Sequence, residues 1–402
     1  MTAAERPGPV GPAALELAER VLRWGWAEGE RDGFRYRYTR PSPGRYPWQW
    51  YWDSCFAAIV WRRFDAERSR AELESLLAVQ REDGFIGHTI FWDRPVSLQR
   101  LAFYNVASRG ALQTETIQPP LLAWAWRIAV GDPAAEPRIA KQVEWLAANR
   151  DLEGDGLLWI VQPDESGLDA SPKFEPVWGR RAHGLGFPLL VRRNRRLGFD
   201  ARRALAAGEP VLCETLVNTL WSLSLQALGR PSATPALVAR LWDERRGLFI
   251  DEAQPGGLRP APVTWASLAP LALPDLPEEI GRRLVEEHLL NEAEFLTPVA
   301  PPSVAASEPS YEPDGRGLIR RYWRGPTWVN SAWMVSIGLR RLGYEEEAQR
   351  LADGVLNAAV REGLREYYDP RNGKGQGAKD FAWSALIAEL ADPDEGAAAS
   401  YL

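Results

Sequence analysis

Four short stretches of the 402-residue chain combine carboxylates or cations with aromatic rings. In Tyr46-Pro47-Trp48-Gln49-Trp50-Tyr51-Trp52-Asp53-Ser54, five rings surround one carboxylate. A hexose presents hydroxyls at its edge and C–H bonds on its face, so rings beside an acid and an amide suit a sugar subsite. The alternatives are that the rings fill core and that Asp53 caps the following helix. The stretch Glu165-Ser166-Gly167-Leu168-Asp169-Ala170-Ser171-Pro172, with Asp164 just before it, sets acids among small residues and proline. Such backbone is irregular and rigid and can aim a side chain into a cleft, but spacing leaves Asp164, Glu165 and Asp169 all open. In Tyr322-Trp323-Arg324-Gly325-Pro326-Thr327-Trp328-Val329-Asn330, Pro326 suits a first helical turn, and the paired donors of Arg324 fit a carboxylate or sugar hydroxyls. Finally, Arg365-Glu366-Tyr367-Tyr368-Asp369-Pro370 offers Glu366 as a base, or else as an exposed glutamate at a helix end.

Two acids from separate segments, in aromatic surroundings and without a cofactor pattern, fit glycoside hydrolysis. One protonates the leaving oxygen and the other activates water. The first must keep its proton near neutral pH, which loss of hydration among rings favours.

Other chemistries fit less well. The glycine run 373–377 lacks nucleotide-loop spacing. Asp151–Gly156 resembles the start of a calcium loop but has Gln162 at the twelfth position, so a turn is expected. His88, His183 and His288 are too far apart for a zinc pattern, and Cys55 with Cys213 forms no disulfide framework, so neither metal nor cofactor is expected. The formal net charge of -6 comes from 48 basic and 54 acidic residues without a charged tail, which argues against a nucleic-acid partner. Apolar runs are too short for a membrane span, and Met1–Pro12 lacks the order of a signal peptide, so a cytoplasmic protein with no membrane partner is expected.

The elements that must carry these residues are helical. Periodicity gives about twelve amphipathic or apolar segments, near 11–28, 52–63, 67–80, 118–130, 133–149, 208–228, 233–243, 263–271, 275–290, 327–343, 345–363 and 378–392. Their connections alternate between tight turns, such as Gly131-Asp132-Pro133, and long loops over 29–51, 81–117, 150–207, 244–262, 291–326 and 364–377. With every second loop long, all the long loops leave one end of an antiparallel array. The expectation is an all-α (α/α)6 barrel over residues 1–402, a single domain, with a site where the long loops converge.

The ordered blocks YPWQWYWDS, TIQPPLLAWAW, GLDASP, YWRGPTWVN and EYYDP with GAKDFAW resemble glycoside hydrolase family 63, in particular its compact bacterial members acting on mannosylglycerate and glucosylglycerate. That resemblance covers roughly residues 40–390 and implies an (α/α)6 barrel with an inverting mechanism. It implies Asp169 as general acid and Glu366 as general base. Asp53 would bind hydroxyls of the cleaved sugar, with Tyr46, Trp50, Trp52, His88, Gln118, Tyr322, Trp323 and Trp328 around it. An α-linked glycerate is an anion and calls for a cation, for which Arg324 and the arginines of 180–203 are the candidates. A substrate-closing loop is expected over 91–105. The rival readings are a neutral α-glucoside as substrate and a sugar-binding helical toroid without turnover.

Overall fold

Every residue of α2 (Tyr51–Trp61, YWDSCFAAIVW) is buried, as a helix apolar on all sides requires. A computed structural model describes residues 10–93, 105–108, 110–314 and 323–392. Tyr322 and most of the expected closing loop lie outside the described residues.

In chain order, α1 (Val10–Gly25) leads into the hairpin β1 (Trp26–Arg31) and β2 (Phe34–Thr39), and β3 (Gln49–Trp50) runs into α2. Then come α3 (Ala66–Ala78), β4 (Thr89–Ile90), α4 (Leu122–Ala129), α5 (Glu136–Arg150), β5 (Trp159–Ile160), the short α6 (Glu175–Trp178), α7 (Phe187–Arg196) and α8 (Ala201–Ala206). After β6 (Val211–Cys213) follow α9 (Thr215–Ala227), α10 (Thr234–Leu241), β7 (Trp242–Asp243), β8 (Leu248–Phe249), β9 (Glu252–Gln254) and α11 (Glu278–Arg283). The last elements are α12 (Val329–Arg341), α13 (Glu345–Glu362), β10 (Arg365–Tyr368), β11 (Gly375–Lys379) and α14 (Ile387–Ala391). Two 3-10 segments, Trp265–Ala272 and Ala382–Leu386, complete the helical set around the site.

The helices fall into two kinds. Like α2, α9 and α12 are buried on nearly all sides. By contrast α13 buries Ala348, Leu351, Ala352, Val355, Leu356, Ala358 and Ala359, a spacing of three and four that leaves its charged face in water. α2 packs on α3 and α4, α4 on α9, α9 on Trp265–Ala272, that segment on α12, α12 on Ala382–Leu386, and the latter on α2. Polar-faced helices back this set, with α10 against α9, α13 against α12, and α1 against α13 and α14.

The expected helices hold best where local signals agree, as in α2, α3 and α13. Elsewhere the boundaries move for identifiable reasons. The 118–130 segment becomes helical only at Leu122, because Pro119 and Pro120 cannot donate to a ladder. The 208–228 segment starts at Thr215, since Val211–Cys213 joins a sheet between β5 and β9 and Glu214 caps the helix through Val217 N at 2.6 Å. Pro270 lies inside Trp265–Ala272, which winds as a 3-10 helix. The loop 150–207 is not structureless but holds α7 and α8, and the connections carry short strands that an all-α expectation leaves out. The hairpin β1–β2 turns at Asp32-Gly33, both at positive φ, the sequence signal of a tight hairpin. Asp151 accepts from the N–H groups of Gly154 and Gly156 at 2.7 and 3.0 Å, forming the expected turn. Both cysteines are buried and free. Among the described residues, no helix is long and apolar enough to cross a membrane.

Candidate active site

Where the long connections meet, a cavity of about 340 Å³ opens, in the size range of small-molecule sites. The stretch leading into α2 supplies Tyr46, Trp50, Trp52 and Asp53 to its wall. Pairing of β3 with β4 brings His88 alongside, and Tyr51 N donates to His88 O at 2.9 Å. Gln118, from the turn before α4, accepts the Trp52 N–H at 3.0 Å, which satisfies one of the free donors at the start of α2. Asp53 therefore lies in the first helical turn, with Trp50 in the capping position, so the capping alternative for Asp53 does not hold. Loss of hydration pushes its carboxyl well above the usual range, with the charges of Glu366 and Asp169 adding to the shift.

Asp169 reaches the cavity from the loop after α5 and is half-buried. Loss of hydration, then the neighbouring charges of Asp164 and Glu366, push its pKa up to about 7. The loop is held in an unusual shape. Gly167 adopts φ +72°, and a Cβ there would stand 2.5 Å from the Trp52 ring. Ala170 and Trp323 both have φ of 62°, a left-handed conformation costing about 1–2 kcal/mol at a non-glycine residue. Arg324 ties the two together: its Nε donates to Ala170 O at 2.8 Å, and its guanidinium pairs with Glu175. Arg324 is thus a buried brace for the acid loop and does not line the cavity.

Glu366 comes from β10 and is 3% exposed, not the helix-end glutamate of the alternative reading. The β10–β11 register slips between Arg365 and Tyr367, a bulge that re-aims the side chain between them. Gly377 at φ +69° makes room, since a Cβ there would lie 2.6 Å from Glu366 Cβ and Oε2. Tyr46 OH donates to Glu366 Oε1 and Ala378 N to Oε2, each at 2.8 Å. Loss of hydration raises the pKa of Glu366, while these two donors and the charges of Arg45 and Arg365 pull the other way.

Aromatic side chains close the walls. Trp323 and Trp328 stack with centroids 3.9 Å apart and planes within 5°. Trp383 meets Trp52 edge-on at 5.1 Å. Loss of hydration lowers the pKa of His88 to about 4, so its ring is neutral at physiological pH, and Nδ1 lies 2.9 Å from Thr116 Oγ1. Among the described residues, no group of three or more His, Cys, Asp or Glu side chains is arranged to hold a metal ion.

Four carboxyls, those of Asp53, Asp164, Asp169 and Glu366, face this ring-lined cavity. The family model described as the mannosylglycerate hydrolase MGH1-like glycoside hydrolase domain matches residues 46–228 and 227–384. The chain belongs to this family. This MGH1-like member is a glycosidase of the family 63 type. It is 30% identical to a mannosylglycerate hydrolase of Thermus thermophilus, over 88% of this chain and 96% of that one. It is 25% identical to a glucosylglycerate hydrolase of Mycolicibacterium hassiacum, over 86% of this chain and 92% of that one. The crystal structure of a family 63 mannosylglycerate hydrolase from Thermus thermophilus with Tris and D-glycerate superposes with a TM-score of 0.78 at 28% identity, covering 95% of this chain and 99% of that one.

Of the residues expected in the site, this MGH1-like hydrolase brings Tyr46, Trp50, Trp52, Asp53, His88, Gln118, Asp169, Trp323, Trp328 and Glu366 to one cavity. Arg324 stands behind the wall as a brace. Glu165 is not available for chemistry, because Arg150 and the N–H groups of Ile117 and Val161 occupy its carboxylate. The arginines of 180–203 do not line the cavity: Arg193 pairs with Glu209 at 2.9 Å, and Arg202 donates to Asp151 O at 2.7 Å. Sequence reading misses Pro41, Phe187, Phe381 and Trp383 as lining residues and sets Asp164 aside. Phe381 and Trp383 sit in the GAKDFAW block, where their ring character is a usable signal. Phe187 begins α7, a helix inside a segment expected to be loop.

Proposed function

We propose that this glycosidase hydrolyses α-mannosylglycerate, α-glucosylglycerate or both with inversion, using Asp169 as acid and Glu366 as base. The observation that carries the reading is the shared cavity in which one carboxyl is held near neutral pKa while the other accepts two hydrogen bonds. In the proposed reaction Asp169 gives its proton to the glycosidic oxygen as the bond from C1 breaks. A water on the opposite face attacks C1 and passes its proton to Glu366. Asp53, Gln118 and neutral His88 hold sugar hydroxyls, and the rings of Trp52, Trp323, Trp328 and Trp383 cover its apolar faces. Inversion needs roughly 6.5–9.5 Å between the two carboxyls, to leave room for the water. The relatives named for both glycerate glycosides, and the D-glycerate bound in one of them, support the substrate class.

The circuit of buried helices α2, α4, α9, Trp265–Ala272, α12 and Ala382–Leu386 supports a single (α/α)6 toroid as the architecture, formed by one domain spanning the chain.

The purified protein, offered both compounds, is expected to release glycerate, with the β-anomer as the first sugar seen by NMR. Retention would remove Glu366 from the role of base. A second reading, a neutral α-glucoside, is favoured by one observation: no lysine or arginine is among the described residues lining the cavity. Faster cleavage of a neutral disaccharide than of either glycerate compound would establish it instead.

A further inference from the structure

Asp164 has no task in a two-carboxyl mechanism, yet it lines the same cavity as Asp169. Both sit on one loop, five residues apart, folded back at Gly167. Asp164 is clamped by amides. Gln162 Nε2 donates to its Oδ1 at 2.6 Å, and Asn105 Nδ2 donates to its Oδ2.

The direction of these bonds is dictated from one end. Asn194 Nδ2, on α7, donates to Val161 O at 3.1 Å, and a backbone carbonyl can only accept. The same nitrogen donates to Gln162 Oε1 at 2.9 Å, which turns the Gln162 amide nitrogen toward Asp164 and toward Asn105 Oδ1, 2.8 Å away. Asn105 is thereby left with its own nitrogen facing Asp164. All three amides are fully buried, so both oxygens of Asp164 meet donors that cannot rotate away. A protonated carboxyl would need an acceptor where this clamp offers N–H groups. The clamp favours the ionised carboxylate, against the burial that opposes it.

We propose that Asp164 is a positioning residue for proton donation: an amide-clamped negative charge in the cavity wall that holds the proton on Asp169 until the glycosidic oxygen takes it. The proposal rests on the reading of Asp169 as general acid. Burial raises the pKa of Asp164 to about 6 against the pull of its Gln162 and Asn105 donors, and burial, then the charge of Asp164, raises that of Asp169 to about 7. Other ionisable groups surround the pair. Asp53 on α2, Glu366 on β10 and neutral His88 share the cavity, while Glu165 with Arg150 and Glu175 with Arg324 are paired behind the loop.

Asp164→Asn removes the charge, and Asp164→Ser removes it with a hydroxyl that can turn its oxygen to accept from the clamp, so the two are tested together. Because the acid works only while protonated, losing the neighbouring charge is expected to move the alkaline limb of kcat/KM for the glycoside down by about one pH unit. At pH 8 this reads as a loss of about tenfold, shrinking to about twofold at pH 6 and to near parity at pH 5. The α-glycosyl fluoride of the same sugar needs no proton on its leaving group, and its profile is expected to stay unchanged. A uniform loss at every pH with the limb in place would reduce Asp164 to a structural role and overturn the inference. Asp169→Asn tests the underlying reading separately: it should lose the glycoside and keep the fluoride. If that holds while the Asp164 variants leave the limb unmoved, only the inference on Asp164 falls. If Asp169→Asn still cleaves the glycoside, the general-acid assignment itself falls.

Discussion

The loop that carries Asp169 and the hairpin that carries Glu366 present the same functional group to one cavity, both desolvated but with different neighbours. On the loop, desolvation and the charge of Asp164 oppose ionisation. On the hairpin, a bulge aims Glu366 so that Tyr46 OH and Ala378 N–H each hold one oxygen. Donors directed at a carboxylate favour its charged form, and a neighbouring negative charge favours the neutral one. Under the proposed mechanism the contrast fits Asp169 as acid and Glu366 as base, because the loop adds a neighbouring charge where the hairpin adds donors. Left-handed non-glycine residues stand on both sides, Ala170 and Trp323 at the acid loop and Asp380 just after β11, and Arg324 bridges the first two.

The comparison breaks most directly at its two ends. Asp169→Asn and Glu366→Gln are each expected to lower glycoside turnover by about 10²–10⁴-fold. With the glycosyl fluoride they should part company, because only the base is still needed: Glu366→Gln stays inactive and Asp169→Asn recovers. Fluoride release, followed with an ion electrode, reads the difference. Equal behaviour of the two variants would erase the distinction between loop and hairpin.

The next effect comes from two glycines that shape the two regions. Gly377→Ala would set a methyl group against Glu366 at positive φ, displacing the base, and a fall in kcat of about 10²-fold is expected from misplacement on the ångström scale. Gly167→Ala would press on the Trp52 ring, part of the wall that holds the sugar. Its larger effect is expected on KM. Steady-state kinetics of both variants tests this, and the reverse split would mean that the loop glycine serves the chemistry and the hairpin glycine the binding.

A smaller change acts on the hairpin alone. Tyr46→Phe removes one donor from Glu366, which raises the pKa of a base that must be ionised to work. The acid limb of kcat/KM is expected to move up by about one pH unit, leaving the alkaline limb in place. Movement of the alkaline limb instead would place Tyr46 in the service of the acid.

How far the sequence discloses this arrangement depends on whether the signal is local. The ring-rich blocks around Trp50 and Trp323 are legible, because aromatic residues beside acids or cations within ten positions point to one chemistry. The helices α2 and α13 are legible from their apolar pattern. The roles of Arg324 and Glu165 are not. Arg324 reads as a ligand-binding cation, and only the position of Ala170 O, 154 residues away, makes it a brace. Glu165 reads as a candidate acid until Arg150 is seen to occupy it. Asp164 does not stand out from its neighbours, because its clamp is assembled from Asn105, Gln162 and Asn194, residues with no shared motif. Glu366 and its bulge are half legible: the Glu-Tyr-Tyr spacing marks the residue, while the strand that aims it falls where a loop is expected.

A third carboxyl serves as the control for the comparison. Glu72 on α3 is fully buried behind Asp53, and accepts from Ser54 Oγ at 2.6 Å and from Thr39 N and Oγ1 at 2.7 Å each. Desolvation outweighs these donors and raises its pKa to about 8. Since the folded value lies above the ordinary 4.5, the stabilisation is complete below the unfolded pKa and is lost as pH rises through the folded one. The protein is therefore expected to lose stability between about pH 5 and 8, by an amount on the order of 3 kcal/mol from this group. Glu72→Gln keeps a neutral amide at every pH, and the Ser54 hydroxyl can turn to accept its N–H. The variant should match the parent at pH 5, unfold at a higher temperature than the parent at pH 8, and leave kcat almost unchanged. Thermal unfolding at the two pH values measures this, and parallel decline in both proteins would show that Glu72 is ionised in the fold. In that case donors would win over desolvation at this core carboxyl, and the contrast between loop and hairpin would have to rest on the charge of Asp164 alone.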